Sequence, residues 1–303
     1  MPAISVILPT FNRAATLQRA IDSVLVQSFR DFELIVVDDA STDATPALLG
    51  SIGDARLRVL RLPHNRGAAG ARNQGIRAAS GGWVAFQDSD DVWLPAKLEQ
   101  QYALAAQAPT EVGLVLGGYT VHTADGHLHI RPAATLGGAD PRPDLLDGWP
   151  IITPTWLVRR DVLLAVGGFD ETYPCLEDWD LVFRLSDACR IRAVPGPLLV
   201  KHGSLDSVCA DPYRMQRALQ RILETHLHRW HGQPQRLARR LAHLGVLQFR
   251  TGQRGRARST LARALRTDFR APAIHGLLWS SFAGARALRL AERLWPRYAG
   301  MAP

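Results

Sequence analysis

The stretch Leu34-Ile35-Val36-Val37-Asp38-Asp39-Ala40-Ser41-Thr42-Asp43 decides the fold of this 303-residue chain. Four consecutive apolar residues suit a strand buried on both faces, and the Ser-Thr-Asp run supplies N-cap chemistry for a following helix. Pro46 falls within the first turn of that helix, where a missing N–H does no harm. The two carboxylates stand at the junction. A buried strand that passes through a polar turn into a helix is half of a βαβ unit.

The same alternation continues on both sides. Ile4–Leu8, Leu57–Leu62 and Trp83–Phe86 read as further buried strands. Ala14–Gln27, Asp43–Ser51, Ala68–Ala79 and Pro95–Ala108 read as helices, with Pro95 at a first helical position. Single helices between strands predict right-handed crossovers and a mostly parallel, Rossmann-like sheet. Such sheets bind ligands beyond the carboxyl ends of their strands. Asp38-Asp39 closes one strand and Asp88-Ser89-Asp90-Asp91 another, so both acidic groups should share one lip. Carboxylates gathered there repel one another unless compensated, and Mg²⁺ or Mn²⁺ shared with a diphosphate would do so. Taken singly, each group also suits a helix cap. The first strand runs into Pro9-Thr10-Phe11-Asn12-Arg13 rather than GxGxxG, and GxxxxGK[ST] is absent. A dinucleotide oxidoreductase and a P-loop NTPase are thereby set aside.

Further along, Val112–Val121 reads as a strand and 132–150 as a loop rich in Gly, Pro and Asp. Thr155–Val158 is extended, a helix starts at Asp161, and Gly167-Gly168 makes a turn. Glu177–Asp187 reads as a helix and 191–201 as one or two strands. If a helix starts at Glu177, Glu177 and Asp178 point about 100° apart, so only one of them can face a site.

Charge divides the chain near residue 210. Residues 1–210 hold 18 Lys and Arg against 24 acidic residues, net −6, whereas 211–303 hold 18 Arg against four acids, net +14. The second region has helical periodicity only, and Leu241 through Ala257, Leu261 and Ala264 resembles one tetratricopeptide-like hairpin. One repeat cannot cover its own apolar face, so it must pack on the first region, on a partner, or on a second copy as a homodimer. The charge suits anionic lipid and peripheral membrane contact; nucleic acid is the less expected polyanion, and solvated arginine faces are the alternative. The N-terminus shows no signal peptide, and no run of 18 apolar residues occurs. Three cysteines without CxxC spacing read as reduced thiols. Together these predict a cytoplasmic protein.

Six strings, in order over roughly residues 3–207, resemble family 2 glycosyltransferases of the GT-A fold. They are Ile4 through Arg13, Val36 through Asp43, Asn65-Arg66-Gly67 through Ala71-Arg72-Asn73, Phe86 through Asp91, Gly167 through Glu171, and Glu177 through Leu181. The resemblance implies an inverting enzyme that moves a sugar from a nucleotide diphosphate, with UDP the expected carrier, to a hydroxyl of a glycan or lipid-linked acceptor. Residues 1–108 would hold the nucleotide sugar, 109–210 the acceptor, and 211–303 would be a helical extension. Phe11 would stack on the base and Asp39 accept from a uracil N–H, with Pro9, Thr10 and Arg13 lining the nucleoside pocket. Asp88 and Ser89 would approach the ribose, Asp90 would ligate the metal, and Arg72 would pair with these carboxylates or reach a phosphate. Asp178 would be the general base. His202 would touch metal or diphosphate, and Glu177, Trp156 and Trp179 would face the acceptor, with core packing the alternative for both tryptophans. The region between Asp91 and Gly167 matches no motif of the family, which leaves the acceptor unnamed. A peptide acceptor, or a non-catalytic protein that holds a nucleotide sugar, is the alternative.

Overall fold

The computed structural model describes residues 1–122, 128–131, 142–147, 152–202 and 210–294. The chain forms two compact units, residues 1–172 with 177–205, and residues 173–176 with 206–303.

The first unit is a nine-stranded mixed sheet with helices. Its strands are β1 (Ile4–Thr10), β2 (Phe32–Asp38), β3 (Leu57–Arg61), β4 (Trp83–Phe86), β5 (Val92–Trp93), β6 (Val112–His122), β7 (Leu128–Arg131), β8 (Leu157–Arg159) and β9 (Arg190–His202). Its helices are α1 (Ala14–Leu25), α2 (Thr45–Ser51), α3 (Gly67–Ala78), α4 (Lys97–Gln107), α5 (Arg142–Leu145), α6 (Arg160–Ala165) and α7 (Glu177–Ala188). The order across the sheet is β3-β2-β1-β4-β8-β6-β9-β5, with β7 paired to β6. The parallel arrangement holds from β3 to β4 and again between β6 and β9; β8 is antiparallel to both β4 and β6. Two reversals restore direction, so β6 and β9 run the same way as β4.

The apolar runs account for these elements. Every residue of β1 except Pro9 is buried, and β2 is buried except at Glu33. In α1, Leu17, Ala20, Ile21 and Val24 repeat at the spacing of one helix face and are buried against the sheet. Helix α3 comes close enough to β1 that a Cβ at Gly75 would lie 2.4 Å from Ile7 Cγ2. β3 corrects the expectation of a buried strand: Arg58, Val59 and Arg61 are exposed because β3 is the edge of the sheet, where only one side has a neighbour. Helix α2 starts at Thr45, later than expected, and the cap differs too: the Asp43 carboxylate accepts from Thr45 N–H at 2.9 Å. Pro95 likewise precedes its helix, with α4 starting at Lys97. Residues 191–201 belong to one strand. Of the expected loop 132–150, only 142–147 are described, and they include the short helix α5; the rest lies outside the described residues.

The second unit contains α8 (Pro212–His226), α9 (Pro234–Arg250), α10 (Arg254–Thr267), α11 (Pro272–Ala283) and α12 (Ala285–Leu294). Gly252, at φ 84°, turns α9 into α10. A Cβ at Gly245 would sit 2.8 Å from Leu261 Cγ and 3.3 Å from the Ala257 carbonyl, so the two helices meet nearly backbone to backbone. Leu241, Leu244, Val246, Phe249, Ala257, Leu261 and Ala264 are buried there, while Leu237 and Leu265 are half-buried. Among the described residues no helix is long and apolar enough to cross a membrane.

Candidate active site

The sheet brings the polar ends of its central strands together. Thr10 pairs in register with Asp38, Asp39 N–H donates to Thr10 O, and Gln87 N–H donates to Ile7 O, each N···O 2.9 Å. Phe11, Asp39 and Asp88 therefore leave three neighbouring strands at one edge. The chain order reverses between β1 and β4, which opens a crevice there. Phe11 is 43% exposed, so its ring is not a core aromatic. Pro9 is half-buried, and Thr10 is buried with no hydrogen-bond partner for its hydroxyl among the described residues. The loop after β1 is stapled to the loop after β2. Asn12 N–H donates to Ser41 Oγ, Thr42 N–H donates to Asn12 Oδ1, and Arg13 N–H donates to Thr45 Oγ1.

Asp38 and Asp39 are both buried. Asp38 accepts from Ser41 N–H at 2.9 Å and has the Arg61 guanidinium at 3.5 Å. Asp39 caps α3: its two oxygens accept from the N–H groups of Arg66 and Gly67, each at 2.8 Å. Burial raises the Asp39 pKa, and those two hydrogen bonds only partly oppose it. A contact from Asp39 to a base would have to use the lone pairs that remain.

The end of β4 is arranged differently. Arg72 of α3 is buried and donates to Asp88 Oδ1 at 2.8 Å and to Glu177 Oε1 at 2.9 Å. Its guanidinium also lies over the Phe169 ring, 5.4 Å from the centroid. Burial alone would lower the Arg72 pKa, but the charges of Asp88 and Glu177 outweigh it and raise it. One arginine thus ties the end of β4 to the start of α7. Asp91, wholly buried, anchors the loop to β9: it accepts from His202 N–H at 3.1 Å and has Lys201 Nζ at 3.6 Å. Burial first, then repulsion from Asp88 and Asp90, raises the Asp91 pKa to about 7. Ser89 is buried, whereas the half-buried Asp90 has no donor to its carboxylate among the described residues; its backbone carbonyl accepts from Arg19.

Glu177 and Asp178 separate as the helix geometry requires. Glu177 is taken by Arg72, while Asp178 accepts only from the N–H of Trp179, at 2.8 Å among the described residues. Burial first, then the charge of Glu177, raises the Asp178 pKa to about 7 against the pull of Arg72. A carboxylate poised near neutrality can both accept and release a proton at physiological pH. Backbone strain gathers at the same places. The non-glycine residues with positive φ among the described residues are Asn12 (51°), Ala40 (65°) and Leu176 (62°), next to Phe11, Asp39 and Glu177. Such conformations cost about 1–3 kcal/mol each and cluster at functional sites.

Among the described residues no three His, Cys, Asp or Glu side chains converge to hold a metal. The donors fit a different arrangement. Among the described residues the Asp90 carboxylate is unengaged, and Asp88 gives one oxygen to Arg72. One or two carboxylates suit a hard cation that takes its other ligands from a diphosphate and water.

The family model for Glycosyl transferase family 2 matches residues 5–166. The chain belongs to that family. Among curated relatives of this family 2 chain, the succinoglycan biosynthesis protein ExoO of Rhizobium meliloti is 43% identical over 114 residues, 38% of this chain and 33% of that protein. WfgD of Escherichia coli, named as a UDP-Glc:alpha-D-GlcNAc-diphosphoundecaprenol beta-1,3-glucosyltransferase, is 37% identical over 118 residues, 39% of this chain and 46% of its own. These matches span less than half of either relative. In fold, the family 2 chain resembles S. aureus TarS 1-349 in complex with UDP-GlcNAc, with TM-score 0.68 and 20% identity over 97% of this chain and 91% of that one. It also resembles the mannosyltransferase PcManGT of Pyrobaculum calidifontis in complex with GDP-Man and Mn²⁺, with TM-score 0.62 and 22% identity over 99% and 84% of the two chains. The fold is the expected GT-A type with a helical C-terminal region.

Within the family 2 site, three expectations need correction. Trp156 has no exposed surface: it stacks on Phe169 (centroids 6.4 Å, 4°) and meets Phe86 edge-on, so it is core and cannot line an acceptor pocket. Trp179 is buried and donates its indole N–H to Leu145 O. Glu177 faces Arg72 rather than an acceptor. Sequence reasoning also overlooked Asn73, whose amide bonds both Phe169 N–H and Phe169 O and reaches Glu171. Gly168, at φ 67°, must be glycine there, since a Cβ would lie 2.6 Å from Asn73 Oδ1. The signal was present in the paired strings Arg72-Asn73 and Gly168-Phe169. It was missed because nothing linear says that they touch.

Proposed function

We propose that the first unit transfers a sugar from a UDP-sugar to an acceptor hydroxyl, with inversion at the anomeric carbon. The observation that carries this reading is Asp178, a carboxylate held near neutral pKa while Arg72 draws its neighbour Glu177 away. Asp178 takes the acceptor proton as the acceptor oxygen bonds to the anomeric carbon and the bond to the diphosphate breaks. The exposed Phe11 supports the base, Thr10 and Asp39 the nucleoside, and Asp88 and Ser89 the ribose side of the crevice. Arg13 would line the nucleoside pocket with Pro9, and His202, whose N–H donates to Asp91, would contact the metal or the diphosphate. Asp90, with the free oxygen of Asp88, would hold Mg²⁺ or Mn²⁺, which would neutralise the leaving diphosphate. The likeness to WfgD supports UDP as carrier and a lipid diphosphate-linked glycan as acceptor. The TarS complex with UDP-GlcNAc supports the same nucleotide.

The test is Asp178→Asn, assayed with calorimetric UDP binding in the presence and absence of Mn²⁺. Transfer should fall by about 10²–10⁴-fold, the usual worth of a general base, while UDP affinity changes little. Undiminished transfer by the variant would remove Asp178 from the mechanism.

A further inference from the structure

The second unit carries an apolar stripe that the donor site does not use. Phe269, Trp279 and Phe282 are 67%, 69% and 59% exposed. Trp279 and Phe282 lie three residues apart on α11 with ring centroids at 6.3 Å. His275, one turn before Trp279, bonds the Phe269 carbonyl through Nε2 at 2.7 Å, which ties the Phe269 backbone, ahead of α11, to the side of the helix that carries Trp279. The opposite side buries Ile274 and Leu277. Helix α11 contains no Asp, Glu, Lys or Arg and is apolar on both sides, whereas a solvated helix should turn a polar face outward.

Arginines frame the stripe. The half-buried Arg258 donates to the Ser281 carbonyl and lies 4.4 Å from the centre of the Phe282 ring, Arg270 lies 5.5 Å from that of Phe269, and Arg286 is exposed in the first turn of α12, beyond the break at Gly284. Over residues 211–303 the net charge is +14. A second copy would bring the same positive charge to this face. Base stacking needs open ring faces, and guanidinium groups already cover one face of Phe269 and of Phe282. Ring edges flanked by cations suit the headgroup layer of a bilayer, where aromatic residues lie at the interface and basic residues meet lipid phosphates. Since no described helix can span a membrane, the contact would lie on its surface.

We propose that this side of α11 and the turn before it, through Phe269, Trp279 and Phe282 with the exposed Arg270 and Arg286, docks on a bilayer containing anionic phospholipid. The inference does not rest on the transferase reading, since binding is measured without turnover. The experiment is co-sedimentation of the full chain with vesicles of phosphatidylcholine alone or mixed with phosphatidylglycerol. Binding should require phosphatidylglycerol and weaken with salt. Trp279→Ser/Phe282→Ser should reduce partitioning by roughly tenfold or more, from lost apolar burial. Arg270→Gln/Arg286→Gln should reduce it by about fivefold per residue. All four positions are exposed, and unchanged circular dichroism would confirm that the variants fold. Equal binding by wild type and the aromatic variant, or no binding to either vesicle, would overturn the proposal. So would self-association or single-stranded RNA binding, abolished by the aromatic variant, without vesicle binding. Failure here with intact UDP binding leaves the donor site standing, and the reverse leaves the docking surface standing.

Discussion

Two central strands of the sheet, β2 and β4, end in adjacent carboxylates at the same edge, and the folded chain uses them in opposite ways. At the end of β2, Asp38 and Asp39 are occupied by backbone N–H groups of Ser41, Arg66 and Gly67. At the end of β4, Asp88 and Asp91 are held by the cations Arg72 and Lys201, and the Asp90 carboxylate is left without a donor among the described residues. The first pair holds two loops together, with the remaining lone pairs of Asp39 proposed for the nucleoside; the second fixes the loop that presents Asp90. Similar sequences thus acquire different tasks from what approaches them across the fold.

The comparison can be broken most forcefully at Arg72. Arg72→Leu strands two carboxylates, Asp88 and Glu177, and should cost about 3 kcal/mol in chemical denaturation. That is the low end for a broken buried pair, because both acids keep some water. A near-neutral result would mean that the bridge between β4 and α7 is incidental. Next in size is Asp90→Ala, expected to lower kcat/KM about 100-fold and to abolish any Mn²⁺ enhancement of UDP binding, with stability within about 0.5 kcal/mol of wild type. Asp39→Ala should differ by costing about 1–2 kcal/mol of stability, as α3 loses its cap, in addition to any loss of UDP affinity. If Asp39→Ala spared stability and Asp90→Ala did not, the division of labour would be inverted.

The smallest effect is in pH. The acidic limb of the rate should have its midpoint near pH 7, because Asp178 acts only when deprotonated and its pKa is raised to about 7. Activity should rise about tenfold per unit below that midpoint and level off above it. A flat profile from pH 5 to 8 in initial-rate assays would reject Asp178 as the titrating base.

Much of the first unit was legible because its signals are local. Apolar runs with periods of two or none, capping residues and short acidic turns are written in consecutive residues, and they predicted β1, β2, β4, α1 and α3 closely. Phe11, the Asp88–Asp91 loop and the Glu177/Asp178 alternative were also legible, since each motif is contiguous. The misreadings share a cause: each depended on a neighbour far along the chain. β3 reads as buried until its place at the sheet edge is known. Trp156 reads as a sugar platform until Phe86 and Phe169 enclose it. Lys97, a charged residue near a helix start, carries no linear signal of its surroundings. It is fully buried, with Nζ bonded to Gln101 Oε1 and 4.0 Å from the centre of the Trp93 ring, and burial lowers its pKa to about 7.

The sequence by itself determined the βα alternation, the order of the polar turns, and the charge contrast between residues 1–210 and 211–303, because periodicity and composition act over a few residues. Only the tertiary structure decided which carboxylates are occupied, which aromatics are exposed, and which acid of the Glu177-Asp178 pair is available. Those outcomes depend on desolvation and on partners as far as 111 residues away, as in the bond from His202 to Asp91.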